Sequence, residues 1–236
     1  MAANPTSPLK AGTVRAATCV ALLVLVSGCM TARLEESRSL ATAIAEDEAV
    51  VLLAKPHVEG TSAEDDFMDC VGDKIARRSG IHVQPNNDFQ DAMFPWFEPS
   101  TAPQRPEGMA QLLSRPAVRQ RMDESGVRYI VWVDGLTRQT DSGGSISCAI
   151  GPGGGGCIGF GWWEKESDYD AIVWDLREYK SAGSVSTNVT GTSAIVGAIV
   201  PLPFIARVRG TACDRLADQL GGFLQGSDAS AAGGAL

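Results

Sequence analysis

At 236 residues, 44% of them apolar, the chain carries enough hydrophobic side chains to bury a full core, which excludes a solvated, unfolded polyelectrolyte. Its 28 acidic against 20 basic residues, a net charge of −8, exclude a basic nucleic-acid groove or a polybasic patch for anionic headgroups as its main working surface. Two histidines in the whole chain, His57 and His82, leave a zinc centre or a histidine-dependent hydrolase almost nothing to draw on.

In chain order the first element is an address. Lys10 and Arg15 precede an apolar run from Ala16 to Val26 that is too short and too near the N-terminus for an ordinary membrane span, and Val26-Ser27-Gly28-Cys29 closes it. This order resembles the bacterial lipoprotein signal, which implies removal of residues 1–28 and a lipid-bearing Cys29 as the first residue of the mature chain. Loss of Lys10 and Arg15 then leaves 18 basic and 28 acidic residues, a charge of −10. Several acyl chains, palmitate among them, hold a protein durably because each buried CH2 contributes about 0.8 kcal/mol. The residue after the cysteine is Met30 and not the aspartate that resembles an inner-membrane retention signal, so the expected location is the outer membrane, lipid-anchored on the periplasmic side.

Residues 30–48 are polar and helix-permissive with no apolar stripe, which predicts a tether (29–48) leading into a short helix. Ala49-Val50-Val51-Leu52-Leu53-Ala54 reads as a buried strand opening a single α/β domain over 49–224. From Ala63 to Arg78, Phe67, Cys70, Val71 and Ile75 recur at helical spacing, with Asp65 and Asp66 in the first turn and Gly80 after the end. Ile81-His82-Val83 is a brief strand. Phe89, Met93, Phe94, Trp96 and Phe97 then precede Pro99, Pro103 and Pro106, a core-covering connection or, alternatively, a ligand groove. A helical region over 107–125 is interrupted near Pro116. Val127 to Val133 is the most continuous apolar strand. Residues 145–150 and 157–163 read as two arms around a glycine loop, Asp170–Leu176 as a further strand, and Ser184–Thr190 as a solvent-facing or edge strand. Ile195–Ile205, interrupted by Pro201 and Pro203, is expected as a buried loop against the sheet, with a membrane-facing or subunit-facing surface as the alternative. Ala212–Leu224 closes the fold as a helix, and 225–236 is a tail that need not be ordered. The order predicts an α+β or α/β fold, a mixed β-sheet with helices packed on it.

Cys19 leaves with the signal and Cys29 takes the lipid, so Cys70, Cys148, Cys157 and Cys213 remain, with three possible pairings in an oxidising compartment. The predicted pairs are Cys148 with Cys157, around a segment of glycine and proline, and Cys70 with Cys213, which requires their two helices to be neighbours. Four buried free thiols are the alternative.

Tyr129-Ile130-Val131-Trp132-Val133, Ile172-Val173-Trp174-Asp175-Leu176-Arg177 and Gly183-Ser184-Val185-Ser186-Thr187, followed by the last helix, resemble small envelope lipoproteins related to the TolB amino-terminal domain and to the curli-secretion channel lipoprotein. The resemblance implies a TolB amino-terminal-like fold over 49–224 and an envelope accessory or ring-forming role without catalytic residues. Glu178-Tyr179-Lys180 departs from the family's tight glycine turn, and the Cys-bounded glycine loop has no counterpart there.

No G-x-S-x-G elbow or phosphate loop is present, and Glu164, Glu166, Asp168 and Asp170 lack the pattern of a calcium loop, so neither enzymatic activity, a metal nor a cofactor is expected. The expected function is a non-catalytic envelope assembly or structural component, with a membrane contact through the N-terminal lipid and an envelope protein or a second copy as partner. The alternative is a polysaccharide- or peptide-binding lipoprotein using Trp162, Trp163, Phe160 and Glu164. Trp162 and Trp163 must point to opposite faces if the segment is extended.

Overall fold

The computed structural model describes residues 30–55, 63–98, 100–151, 154–197 and 202–227. The expected signal, Cys29, His57 and the tail from 228 onward lie outside the described residues. The strands are β1 (Met30–Arg38), β2 (Ala49–Ala54), β3 (His82–Gln84), β4 (Val127–Gly151), β5 (Gly154–Asp175), β6 (Lys180–Gly197) and β7 (Leu202–Phe204). The helices are α1 (Asp65–Ser79), α2 (Asn86–Ala92), α3 (Pro106–Leu113), α4 (Pro116–Glu124) and α5 (Val208–Leu224). They form one mixed sheet in the order β1-β6-β5-β4-β2-β3, with β7 on β6; β2 is parallel to β3 and β4, and the remaining pairs are antiparallel. The fold is therefore α+β.

Alternation sorts each central strand between two cores. Tyr129, Val131 and Val133 of β4, Tyr169, Ala171 and Val173 of β5, and Val185 and Val189 of β6 face α1 and α5. Ile130, Trp132 and Trp174 face the opposite layer, where α2, α3 and α4 supply Phe89, Met109, Leu113, Val118 and Met122. Burial on both faces explains why 49–54 and 127–133 are continuously apolar. The 81–106 passage closes the second core with Phe89, Met93 and Phe97, while Phe94, before a cis proline, is 63% exposed.

Helix α1 has acidic residues in its first turn, basic ones in its last, and a left-handed Gly80 at its end. It lies against α5, where a Cβ on Gly221 would come within 2.1 Å of Ser79 Oγ. That close approach lets Cys70 reach Cys213, whose Cα atoms are 6.3 Å apart. Lys74 and Arg78 of α1 meet Asp214, and Arg78 meets Asp218 at 2.6 Å, across the same seam.

Four expectations are corrected. Residues 30–38 are not a tether or helix but an edge strand, paired rung by rung from Met30↔Gly191 to Arg38↔Gly183. A polar strand with one solvated face carries little alternation, and backbone pairing with β6 holds it. Arg38 then donates to Phe223 O and Ser227 O at 3.2 and 2.8 Å, so 225–227 also belong to the fold. Ser184–Thr190 is not an edge: it lies inside β6, between β1 and β5, with Thr187 and Val189 buried. The arms at 145–150 and 157–163 are not separate strands; they are the far ends of β4 and β5. Finally, 195–205 is not a buried loop where described: Ile195 and Ile205 are 37% and 65% exposed, and Leu202–Phe204 forms β7.

Candidate functional site: the projecting ribbon

Strand β2 ends at Ala54, opposite Val133, and β1 begins at Met30, opposite Gly191. Beyond those rungs β4, β5 and β6 continue without the helices, and β7 joins their far side. The outcome is an antiparallel ribbon standing off the domain, four-stranded where β7 pairs with Ala194–Val196 and, among the described residues, two-stranded (β4 with β5) beyond Gly159↔Gly197. None of residues 141–163 belongs to either core.

Register lines the charges up across this ribbon. Asp141 stands opposite Glu164, which stands opposite Thr192. From Ser142 to Trp163, and again from Ser181 to Ala206, the sequence contains no charged residue. Just below that line lie Arg138 with Glu166 at 2.8 Å, exposed Lys165, and Arg207 and Arg209 at the start of α5. Glu166 accepts from Asn188 and Arg138, and these hold its carboxyl below the usual range. On β4 and β5 the charged side chains thus stop at the Asp141–Glu164 rung, whereas β6 carries none from Ser181 onward.

Large apolar side chains stand exposed above the line: Ile146 at 77%, Ile158 at 65% and Phe160 at 53%. Glycines opposite them make room, since a Cβ on Gly143 would meet Trp162 Nε1 at 2.9 Å and one on Gly159 would meet Ile146 Cγ1 at 2.9 Å. Cys148 and Cys157 are bonded near the far end, on directly opposed positions of the ladder.

The expected binding residues are split by the pleat. Phe160, Trp162 and Glu164 alternate onto one face, with Ile158, and Trp163 lies on the other. Glu164 accepts a hydrogen bond from Thr140 at 3.0 Å instead of reaching the aromatic stripe. The two indoles are both half-buried and form no joint platform. What the sequence reading missed is the ribbon as a unit, whose signal was the coincidence of two charge-free stretches, 142–163 and 181–206.

A second polar cluster lies inside the first core. The Tyr169 hydroxyl donates to Glu64 at 2.9 Å and lies 3.0 Å from Thr137 Oγ1, which is 2.7 Å from Ser167 Oγ. Burial pushes Tyr169 up to about 12, the Glu64 carboxylate adds to this, and the Thr137 hydrogen bond opposes it. Phe67 stacks on the Tyr169 ring with centroids 3.5 Å apart. Arg209 lies 3.4 Å from Glu64, so the cluster is a paired core lock. His82 is exposed on β3, remote from it. Among the described residues no group of three His, Cys, Asp or Glu side chains is placed to hold a metal, and no helix is long and apolar enough to cross a membrane.

No protein-family model and no curated protein matches the chain. Among solved structures it is similar to the PelC dodecamer from Paraburkholderia phytofirmans in two crystal forms, one of them a point variant, each at 12% identity and a TM-score of 0.40. Those matches cover 84% of this chain and 98–99% of PelC. It is also similar to the hypothetical protein CT253 from Chlamydia trachomatis, at 13% identity and a TM-score of 0.34, over 75% of this chain and 98% of that one.

Proposed function

We propose that this protein is a lipid-anchored, non-catalytic component of a bacterial envelope that assembles with copies of itself through the flanks of its ribbon. The supporting observation is the outer flank of β4: among the described residues no strand pairs with it from Gly135 to Gly151 on the side away from β5. A long open edge, uncharged from Ser142 to Gly151, invites pairing. The ribbon has an even number of strands, and its two flanks, β4 and β7, run in opposite directions. The β7 flank of one copy therefore continues antiparallel into the β4 flank of the next. Such unlike-to-unlike contacts repeat around a ring. Maturation at Cys29, on the periplasmic side of the outer membrane, supplies the anchor, and the chain enters β1 one residue later.

The test is light scattering on protein extracted from membranes in mild detergent, with intact mass measured on the same sample. A defined oligomer carrying acyl mass and lacking residues 1–28 is expected, and Ser145→Lys on the open flank should return it to monomer. An acylated monomer would sink the assembly reading, and saturable polysaccharide or peptide binding by that monomer, lost in Trp162→Ala, would replace it. Unmodified full-length mass would remove the anchor.

A further inference from the structure

We infer that the cleft between β5 and the start of α5 holds the phosphate of an anionic phospholipid headgroup, with Lys165 and Arg207 as its ligands. This rests on the lipid-anchored reading above.

The cleft measures about 460 Å³ and is walled by Thr137 and Lys165 on the sheet, by the chain from Ala206 to Gly210, and by Glu64 just before α1. Tyr169 and Ser167 of β5 point into the core on this side of the sheet, and Lys165 is the next residue of the same row. The row leaves the cover of the helices there, so the ammonium enters the cleft instead of the core. Lys165, Arg207 and Arg209 line it against the single carboxylate of Glu64. That carboxylate is already engaged: it accepts from the Tyr169 hydroxyl at 2.9 Å and lies 3.4 Å from Arg209, which also reaches Asp66 at 3.1 Å. Lys165 and Arg207 are exposed, and neither is in an ion pair among the described residues. The cleft therefore keeps an uncompensated positive charge and attracts an anion.

Position identifies the anion. Lys165 stands opposite Gly191, and Gly191 stands opposite Met30. Both chain neighbours of Arg207 close on the same glycine: a Cβ on Gly191 would meet Val208 Cγ2 at 2.8 Å, Ala206 Cβ at 3.0 Å and Met30 Cγ at 3.4 Å. Lys165, Arg207 and Met30 thus gather at one level of the sheet, and Cys29 is the next residue back. Acyl chains on Cys29 set the membrane surface at that level, where the anions at hand are headgroup phosphates. Arg207 offers a planar fork of donors to phosphoryl oxygens, and Lys165 a point charge. A mature chain of charge −10 is otherwise repelled by an anionic surface, so the two cations act as a local exception. The acyl anchor fixes the distance of the domain from the bilayer but not its tilt. A headgroup held in the cleft fixes which face the domain presents.

The experiment uses the full-length protein matured in cells, extracted in mild detergent, titrated with phosphatidylglycerol or phosphatidylcholine, and read by native mass spectrometry. One bound phosphatidylglycerol per chain is expected at concentrations where phosphatidylcholine leaves the chain bare. Lys165→Glu combined with Arg207→Glu should weaken that binding at least about tenfold. Arg121→Glu, an exposed cation of α4 on the opposite face of the sheet, should leave it unchanged. Because Arg207 also precedes α5, the wild type is tested beside the variants. In phosphatidylglycerol-containing vesicles an uncharged amine reagent should modify Lys165 about fivefold more slowly than in phosphatidylcholine vesicles. Lys180, at the other end of β6, should react equally in both. Undiminished phosphatidylglycerol binding by the double variant, or equal Lys165 modification in the two vesicles, overturns the site. Uptake of inorganic phosphate with no lipid bound overturns the headgroup assignment. The same spectra separate this result from the anchor: an acylated chain that binds no phosphatidylglycerol refutes the cleft alone, whereas unmodified full-length mass refutes the anchor and the placement that depends on it.

Discussion

The indole of Trp162 occupies the space that a side chain on Gly143 would need, with Nε1 at 2.9 Å from the position of that absent Cβ. The two residues face each other across β4 and β5 at the second rung above the Asp141–Glu164 rung. Gly143→Val should therefore expel the indole and shift its fluorescence to longer wavelength. Because residues 141–163 contribute to neither core, the melting point of the domain should change by the equivalent of less than about 0.5 kcal/mol. A cooperative loss of stability would show that the ribbon is part of the folded unit.

The two disulfides should separate in the same way. Cys70–Cys213 ties α1 to α5 across 143 positions, and Cys213 is 1% exposed. Replacing both with serine should destabilise the domain by about 4–5 kcal/mol in the chain-entropy account. Cys148–Cys157 spans only nine positions on an exposed ladder, and its removal should leave the domain's denaturation midpoint unchanged. Mild reduction followed by peptide mapping should open the second bond first.

Alkaline stability should depend on Tyr169. Its folded pKa of about 12 lies above the ordinary tyrosine value near 10, so the fold favours the neutral hydroxyl. The resulting stability is complete below pH ~10 and is lost as pH rises toward 12, on the order of 2 kcal/mol. Urea midpoints compared at pH 9 and pH 11 for wild type and Tyr169→Phe should show a smaller alkaline loss in the variant. Equal losses would place the effect elsewhere.

At acid pH the sensitive pair is Asp175 and Arg128, 1% and 10% exposed at their side chains. Burial pushes the Asp175 carboxyl up, but the hydrogen bond from Arg128 and those from the N–H groups of Glu178 and Arg177 outweigh it and hold the carboxyl below its usual range. A depressed carboxylate contributes stability above its unfolded value, near pH 4, which is lost as pH falls through the lower folded one. Asp175→Ala leaves the guanidinium with Glu48 at 3.6 Å and the face of the Tyr129 ring, and should cost about 3 kcal/mol at pH 7, read by urea denaturation. In the variant the melting point should fall less steeply between pH 5 and pH 2.

By itself the sequence determined what depends on local period and composition. The core strands at 49–54 and 127–133 were legible because burial on both faces leaves them continuously apolar. Helix α1 was legible from its stripe and from the charges and glycine at its ends. Tertiary structure alone decided the rest. Met30–Arg38 alternates only over Met30, Ala32 and Leu34 and is polar beyond, so its strand state rests on hydrogen bonds to a segment more than 140 residues away. The glycines of 143–161 read as breaks because turns and strands share that composition; in the sheet they admit Trp162 and Ile146 from the neighbouring strand. The charge boundary belongs to no single segment. Asp141 and Glu164 are separated in the chain and become one line only when register sets β4 and β5 side by side.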